Sequence, residues 1–262
     1  MDETFQTYLT RVSRLTQPGS YRSFLQNIQE SPKFTQTSTG DMKPVYFPGY
    51  TVTTPLWKDD SENSEFFSSL KESQQELAKR LPHNFFIPVL PETFHMTLAD
   101  LIWNGAYQEA VKENPSFDSQ LRDRIAESFE AYQKSFPSHP PIRWQLLGLS
   151  IRPRALMVAL IPKDEQSYEY ILQLRRAIYQ NSGLIGLGVE QQYHFTAHVT
   201  LGYFGEIASN LDRDRIQGIL TSIDEKWLES DPKIYTVKQA QLYKFEDMTH
   251  YHRKENYPIL KF

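Results

Sequence analysis

The 262-residue chain contains no cysteine. That removes disulfides, thiolate nucleophiles and Cys-rich zinc sites together. Long apolar runs are missing as well. The longest, Ala155–Ile161, falls far short of the roughly 20 residues needed to cross a bilayer. The chain opens Met1-Asp2-Glu3, without the basic start and apolar stretch of a secretory leader. The expectation is a cytoplasmic protein with no membrane partner. Positive charge is not in excess either: 28 Lys and Arg face 32 Asp and Glu, a formal net charge of −4. Long nucleic acids are held largely by neutralising phosphates, so this balance argues against one as a partner. A small nucleotide or an RNA end stays compatible with it. No His-Glu-x-x-His and no dense Asp cluster occurs, so neither a metal nor another cofactor is expected.

What is present suits a globular protein: 39% hydrophobic and 13% aromatic residues. Phe5, Tyr8, Leu9, Val12 and Leu15, then Tyr21, Phe24, Leu25 and Ile28, recur at helical spacing. They predict a helical N-terminal extension over residues 1–40, with the polar stretch Thr35 to Asp41 as a linker or surface loop. From 41 onward, strand and helix patterns alternate. A strand is expected at 45–54, helices at 64–81 and 118–136, and strands at 85–101 and 142–151. A second round follows, with strands at 154–161, 191–204 and 233–246 and helices at 164–178 and 211–228. The reading is a domain over 41–262, with lobes of about 41–151 and 152–246 and an exposed C-terminal tail at 247–262.

The middle strand of each lobe carries the chemistry. His95-Met96-Thr97-Leu98 and His198-Val199-Thr200-Leu201 share one pattern. Side chains alternate along a strand, so His and Thr share one face and the apolar residues the other. Histidine titrates near neutrality and serves as acid or base. Threonine hydroxyls can donate to phosphate oxygens where charge develops. A third His-x-Thr, His194-Phe195-Thr196, lacks the Leu, which favours His198 as the reactive member and leaves His194 beside it.

This pair of tetrads resembles the 2H phosphoesterase superfamily, named for its paired histidine motifs. The strand Tyr46-Phe47-Pro48-Gly49-Tyr50-Thr51-Val52 and the helical extension look similar to a bacterial subgroup of unknown function. The resemblance implies an α+β fold: two pseudo-repeated β-α-β-α-β lobes with antiparallel-rich sheets flanking a central groove. It implies a metal-independent phosphodiesterase acting on a cyclic phosphate or 2′-5′ linkage of a nucleotide or RNA end. His95 and His198 carry over as the acid/base pair, and Thr97 and Thr200 as phosphate-binding hydroxyls. Which histidine is acid and which base stays open.

Substrate contacts rest on parity and on the habit of bases to stack on aromatic rings. Trp103 shares parity with His95, Phe204 with His198, and Tyr46 and Tyr50 share one face; with His194 these are the candidates. Arg143, Arg152, Arg154 and Lys244 could contact phosphate, with solvated surface charge as the default reading. Two other readings use the same residues. One is a non-catalytic nucleotide- or RNA-binding module, and the other a metallohydrolase with His194 and His198 as ligands. The oligomeric state is not legible.

Overall fold

Thr4 caps the first helix, α1 (Phe5–Leu15), its hydroxyl accepting the Thr7 N–H. Pro18 opens α2 (Pro18–Leu25) at a position where a helix has no use for an N–H. The structure, a computed structural model, describes residues 2–229 and 233–262. After α2, strands β1 (Phe34–Gln36) and β2 (Met42–Pro44) pair antiparallel as a hairpin. The stretch from Thr35 to Asp41 is therefore a surface hairpin turn rather than a linker. Gly40, at φ 91°, adopts the left-handed conformation the turn requires, and the Thr37 N–H closes it on the Asp41 carbonyl.

There follow β3 (Gly49–Thr53), α3 (Ser64–Arg80), β4 (Phe86–Pro88), β5 (Thr97–Trp103), α4 (Asn104–Glu113) and α5 (Phe117–Ser135). The later elements are β6 (Ile142–Arg152), β7 (Ala155–Pro162), α6 (Glu165–Tyr179), α7 (Ser182–Gly186) and β8 (His198–Phe204). The chain finishes with α8 (Arg213–Leu228), β9 (Ile234–Val237), β10 (Gln239–Phe245), β11 (Tyr251–His252) and β12 (Ile259–Lys261).

The fold is α+β, with two five-stranded antiparallel sheets. One runs β11-β10-β3-β5, with β12 also on β10, and the other runs β4-β8-β7-β6-β9. Neither sheet is contiguous in sequence. β10 reaches back to pair with β3, β4 crosses to pair with β8, and β6 lies between β7 and β9. Sheet membership thus departs from a division at 151/152, because each five-stranded sheet draws strands from both halves of the chain. Nor is the C-terminal segment an exposed tail: β11 and β12 both pair with β10.

One continuous apolar core joins the two sheets and the N-terminal helices, including Tyr8, Val12, Tyr21, Leu25, Val52, Leu98, Trp144, Leu160 and Val199. Burying each such side chain contributes about 1.5–3 kcal/mol, so α1 and α2 are integral to the fold. No helix among the described residues is long and apolar enough to cross a membrane.

Candidate functional site

His95 follows a single 3₁₀ turn, Pro91–Thr93, and leads directly into β5, while His198 begins β8. Met96, Leu98, Val199 and Leu201 are fully buried, whereas His95, Thr97, His198 and Thr200 are half-buried on the opposite face. All four of the latter line one small cavity of about 150 Å³ between the sheets. The predicted catalytic residues are thus brought together across a groove.

Each histidine is locked the same way. His95 Nδ1 lies 2.6 Å from the Thr93 carbonyl, and His198 Nδ1 lies 2.7 Å from the Thr196 carbonyl. A carbonyl oxygen only accepts, so both Nδ1 atoms carry the proton and both Nε2 atoms are left for proton transfer. Desolvation at the groove floor pushes both imidazoles down, to about 4. The carbonyl bonds oppose that fall. Each histidine also feels a further positive charge, His198 acting on His95, and Arg152 with Lys33 acting on His198.

The other expected contacts divide. Trp103 lines the outer groove together with Asp100, His198 and Thr200. His194 is exposed and lines the larger cavity that adjoins His198. It precedes the strand, which begins at His198 rather than near 191. Phe204 does not face the groove: it is 2% exposed and packs on Phe85, ring centroids 5.2 Å apart. The cause is a β-bulge. Thr200 pairs with Met157 but Gly202 with Leu156, so Leu201 is skipped and parity inverts beyond it. Tyr203 takes the groove position instead. Tyr50 is also a correction. It is 1% exposed, with its hydroxyl 3.2 Å from that of Tyr257 and its ring edge-on to Tyr107. Tyr46 lies outside β3, which starts only at Gly49, and is 65% exposed away from the cavities. Because Tyr46 precedes the strand, alternation does not place it on one face with Tyr50; at Gly49 itself a Cβ would strike the Ile102 carbonyl and the Trp103 backbone.

Several groove residues escaped parity reasoning. β5 carries two bulges, at Leu98 and Leu101, which turn Asp100 into the groove and restore parity by Trp103. Lys33, just before β1, places its ammonium 3.4 Å from the Tyr203 hydroxyl and over the Tyr203 ring at 4.9 Å. Tyr251, in the supposed tail, meets the His95 ring edge-on at 5.2 Å. Arg11, Arg152 and Arg175 line the larger cavity. Arg154 lines the outer groove, whereas Lys244 is ion-paired with Asp118 at 2.7 Å. One signal was available in the sequence. The match between the motifs extends to Thr-x-His-x-Thr-Leu, and the extra residues, Thr93 and Thr196, supply the carbonyls that fix the histidines. Among the described residues no group of three His, Cys, Asp or Glu side chains is placed to hold a metal ion.

No family model matches the chain, and no curated protein matches it at a significant level. Solved structures do. Two of Escherichia coli LigT, with 3′-AMP and with NADP+, are each 16% identical and give TM-scores of 0.39 and 0.42. They cover 76% and 82% of this chain against 88% and 96% of LigT. A conserved protein of unknown function from Agrobacterium tumefaciens is 18% identical, with a TM-score of 0.59 over 90% of this chain and 96% of the other. The chain accordingly shares its fold with that bacterial protein along almost the full length of both.

Proposed function

We propose that the protein is a phosphodiesterase of the 2H type, using His95 and His198 as a general acid and base. The observation that carries this reading is the matched tautomer lock, which leaves two Nε2 atoms facing one groove between Thr97 and Thr200. In the proposed reaction a neutral imidazole removes a proton from water as the oxygen attacks phosphorus. The other, as imidazolium, protonates the ester oxygen as its bond to phosphorus breaks. Both histidines are neutral near pH 7 in the free protein, so the acid gains its proton together with the anionic substrate, whose charge favours imidazolium. Thr97 and Thr200 donate to the non-bridging oxygens, and Lys33 offsets their charge. These residues complete the reaction without a metal.

The substrate class proposed is a nucleotide or RNA end bearing a 2′,3′-cyclic phosphate or a 2′-5′ linkage. The test is turnover of such compounds in EDTA by the wild type, His95→Ala and His198→Ala. Each substitution is expected to lower kcat by about 10²–10⁴-fold. Full activity in both single variants would remove the assignment. Nucleotide binding without product after long incubation would leave a binding module in its place.

A further inference from the structure

The small pocket holding both histidines opens into a larger cavity of about 640 Å³, and Thr97, Asp100 and His198 line both. That volume lies within the range of about 300–1,000 Å³ usual for small-molecule sites. A single phosphate held between the histidines would leave most of it empty.

The walls of the cavity are cationic in an unusual way. Arg175, on α6, is 6% exposed. Its Nη1 donates to the Leu98 carbonyl at 2.5 Å, its guanidinium lies 4.8 Å from the Phe195 ring and 5.1 Å from the Tyr179 ring, and its buried Nε has no hydrogen-bond partner. Arg152, ending β6, is half-buried and among the described residues donates only to Thr196 Oγ1, at 3.1 Å. Among the described residues, neither has a carboxylate within 4.0 Å, whereas the neighbouring Arg11 is paired with Glu3. Asp100 and Glu190 also line the cavity but bond to neither guanidinium. Asp100 acts on Arg175 only at longer range; holding so buried a cation without a directly bonded carboxylate is costly, and a protein of net charge −4 does not need it for solubility. Guanidinium groups bind phosphate bidentately and stay charged in such surroundings.

We infer that Arg152 and Arg175 form a second anion subsite, which binds a further phosphate on the same substrate whose scissile phosphate sits between His95 and His198. The inference rests on the phosphodiesterase reading and narrows its substrate to a nucleotide carrying two phosphates. Tyr193, 61% exposed, and His194 stand at the rim, where a base can stack. The second phosphate has two chemical sources, the 5′-phosphate of a mononucleotide or the internucleotide linkage of an RNA end.

The experiment is a calorimetric titration of product-like ligands that do not react. These are a nucleoside 3′-monophosphate, the matching 3′,5′-bisphosphate and a dinucleotide ending in a 3′-phosphate. Wild type is expected to bind at least one two-phosphate ligand about tenfold or more tightly than the monophosphate. In Arg152→Gln that ratio collapses toward one. Arg175→Gln repeats the test once its near-ultraviolet circular dichroism shows native packing. A bisphosphate preference assigns the mononucleotide, and a dinucleotide preference assigns the RNA end. Equal affinity for all three ligands, or a preference that survives Arg152→Gln, overturns the subsite. Turnover is measured separately on the corresponding 2′,3′-cyclic phosphates. Its absence with the affinity ratio intact removes the phosphodiesterase reading alone.

Discussion

The Tyr8 hydroxyl accepts the Ala197 N–H at 3.1 Å and donates to the Leu160 carbonyl at 2.9 Å, so the first helix grips the residue directly before His198. Arg11 adds bonds to Thr196 Oγ1 at 2.8 Å and to the Phe195 carbonyl at 2.6 Å. Residues 195–197, including the carbonyl that fixes the His198 tautomer, are thereby held by the N-terminal extension. The corresponding segment before His95 is held by its own lobe, where the Phe94 carbonyl accepts the Trp57 N–H at 2.8 Å.

Tyr8→Phe keeps the ring and removes both bonds, leaving a buried N–H and carbonyl short of a partner. The expected loss is about 1–3 kcal/mol of stability, read as a lower denaturant midpoint. Because His198 loses its anchor, kcat should also fall, with little change in KM. Lower stability with an unaltered kcat would make Tyr8 a brace and nothing more.

Acid–base chemistry by two imidazoles lowered to about 4 leaves a distinctive pH signature. The profile of kcat/KM reports the free protein, in which the singly protonated pair becomes scarce above about pH 5. Activity by that measure should decline as pH rises from about 5 to 7. The profile of kcat should persist to higher pH, since a bound phosphate anion stabilises imidazolium. Coincident profiles, both peaking near neutrality, would contradict the burial of the pair. Steady-state kinetics across pH 4–9 separate the two.

Much of the site could be read from alternation, and the rest was hidden by bulges within strands and by pairing between distant ones. His95, Thr97, His198 and Thr200 lie within stretches short enough for parity to hold, with Met96, Leu98, Val199 and Leu201 buried behind them. Beyond four residues, bulges intervene. The bulge at Leu201 exchanges Phe204 for Tyr203, and the pair in β5 admits Asp100 while returning Trp103 to the groove. A bulge leaves no compositional mark in this sequence. Lys33, Tyr251, Arg11 and Arg175 come from distant elements, whose convergence depends on strand crossings such as β10 on β3, whereas Arg152 was among the cations the sequence offered. The sheet memberships were hidden for the same reason, since pairing partners lie far apart in the chain.

The bulge itself can be tested at adjacent positions. Phe204 is core, so Phe204→Ala should cost about 3–5 kcal/mol while the folded fraction retains near-normal kinetics. Tyr203→Phe removes a hydroxyl that meets Lys33 at 3.4 Å and Met248 Sδ at 3.1 Å. Its stability should change by less than about 1 kcal/mol, while kcat/KM drops through the disturbed lysine. Urea unfolding alongside kinetics distinguishes the two residues. An exchange of those outcomes would mean that parity runs unbroken through β8.

A last consequence lies away from the groove, where α2 meets α8 and β6. Asp224 accepts the Tyr21 hydroxyl and, at 2.7 Å, the Leu149 N–H. Burial nevertheless raises its carboxyl to about 6, because those two bonds offset the lost solvation only in part. The folded state then holds this proton more tightly than the unfolded chain, whose carboxyl titrates near 3.9. Between about pH 4 and 6 the unfolded state binds fewer protons here, so this group makes stability fall as pH rises. The two lowered histidines act in the opposite sense, since the unfolded chain protonates them more readily over about pH 4–6.5. The wild-type slope therefore mixes both contributions, and only a difference isolates Asp224. Asp224→Asn removes its titration and leaves the histidines untouched. Urea midpoints at pH 4.5 and 7.5 should show the variant gaining relative to wild type at the higher pH, by about 1–3 kcal/mol. The same difference at both pH values would mean that Asp224 is ionised throughout, held low by Tyr21 and Leu149.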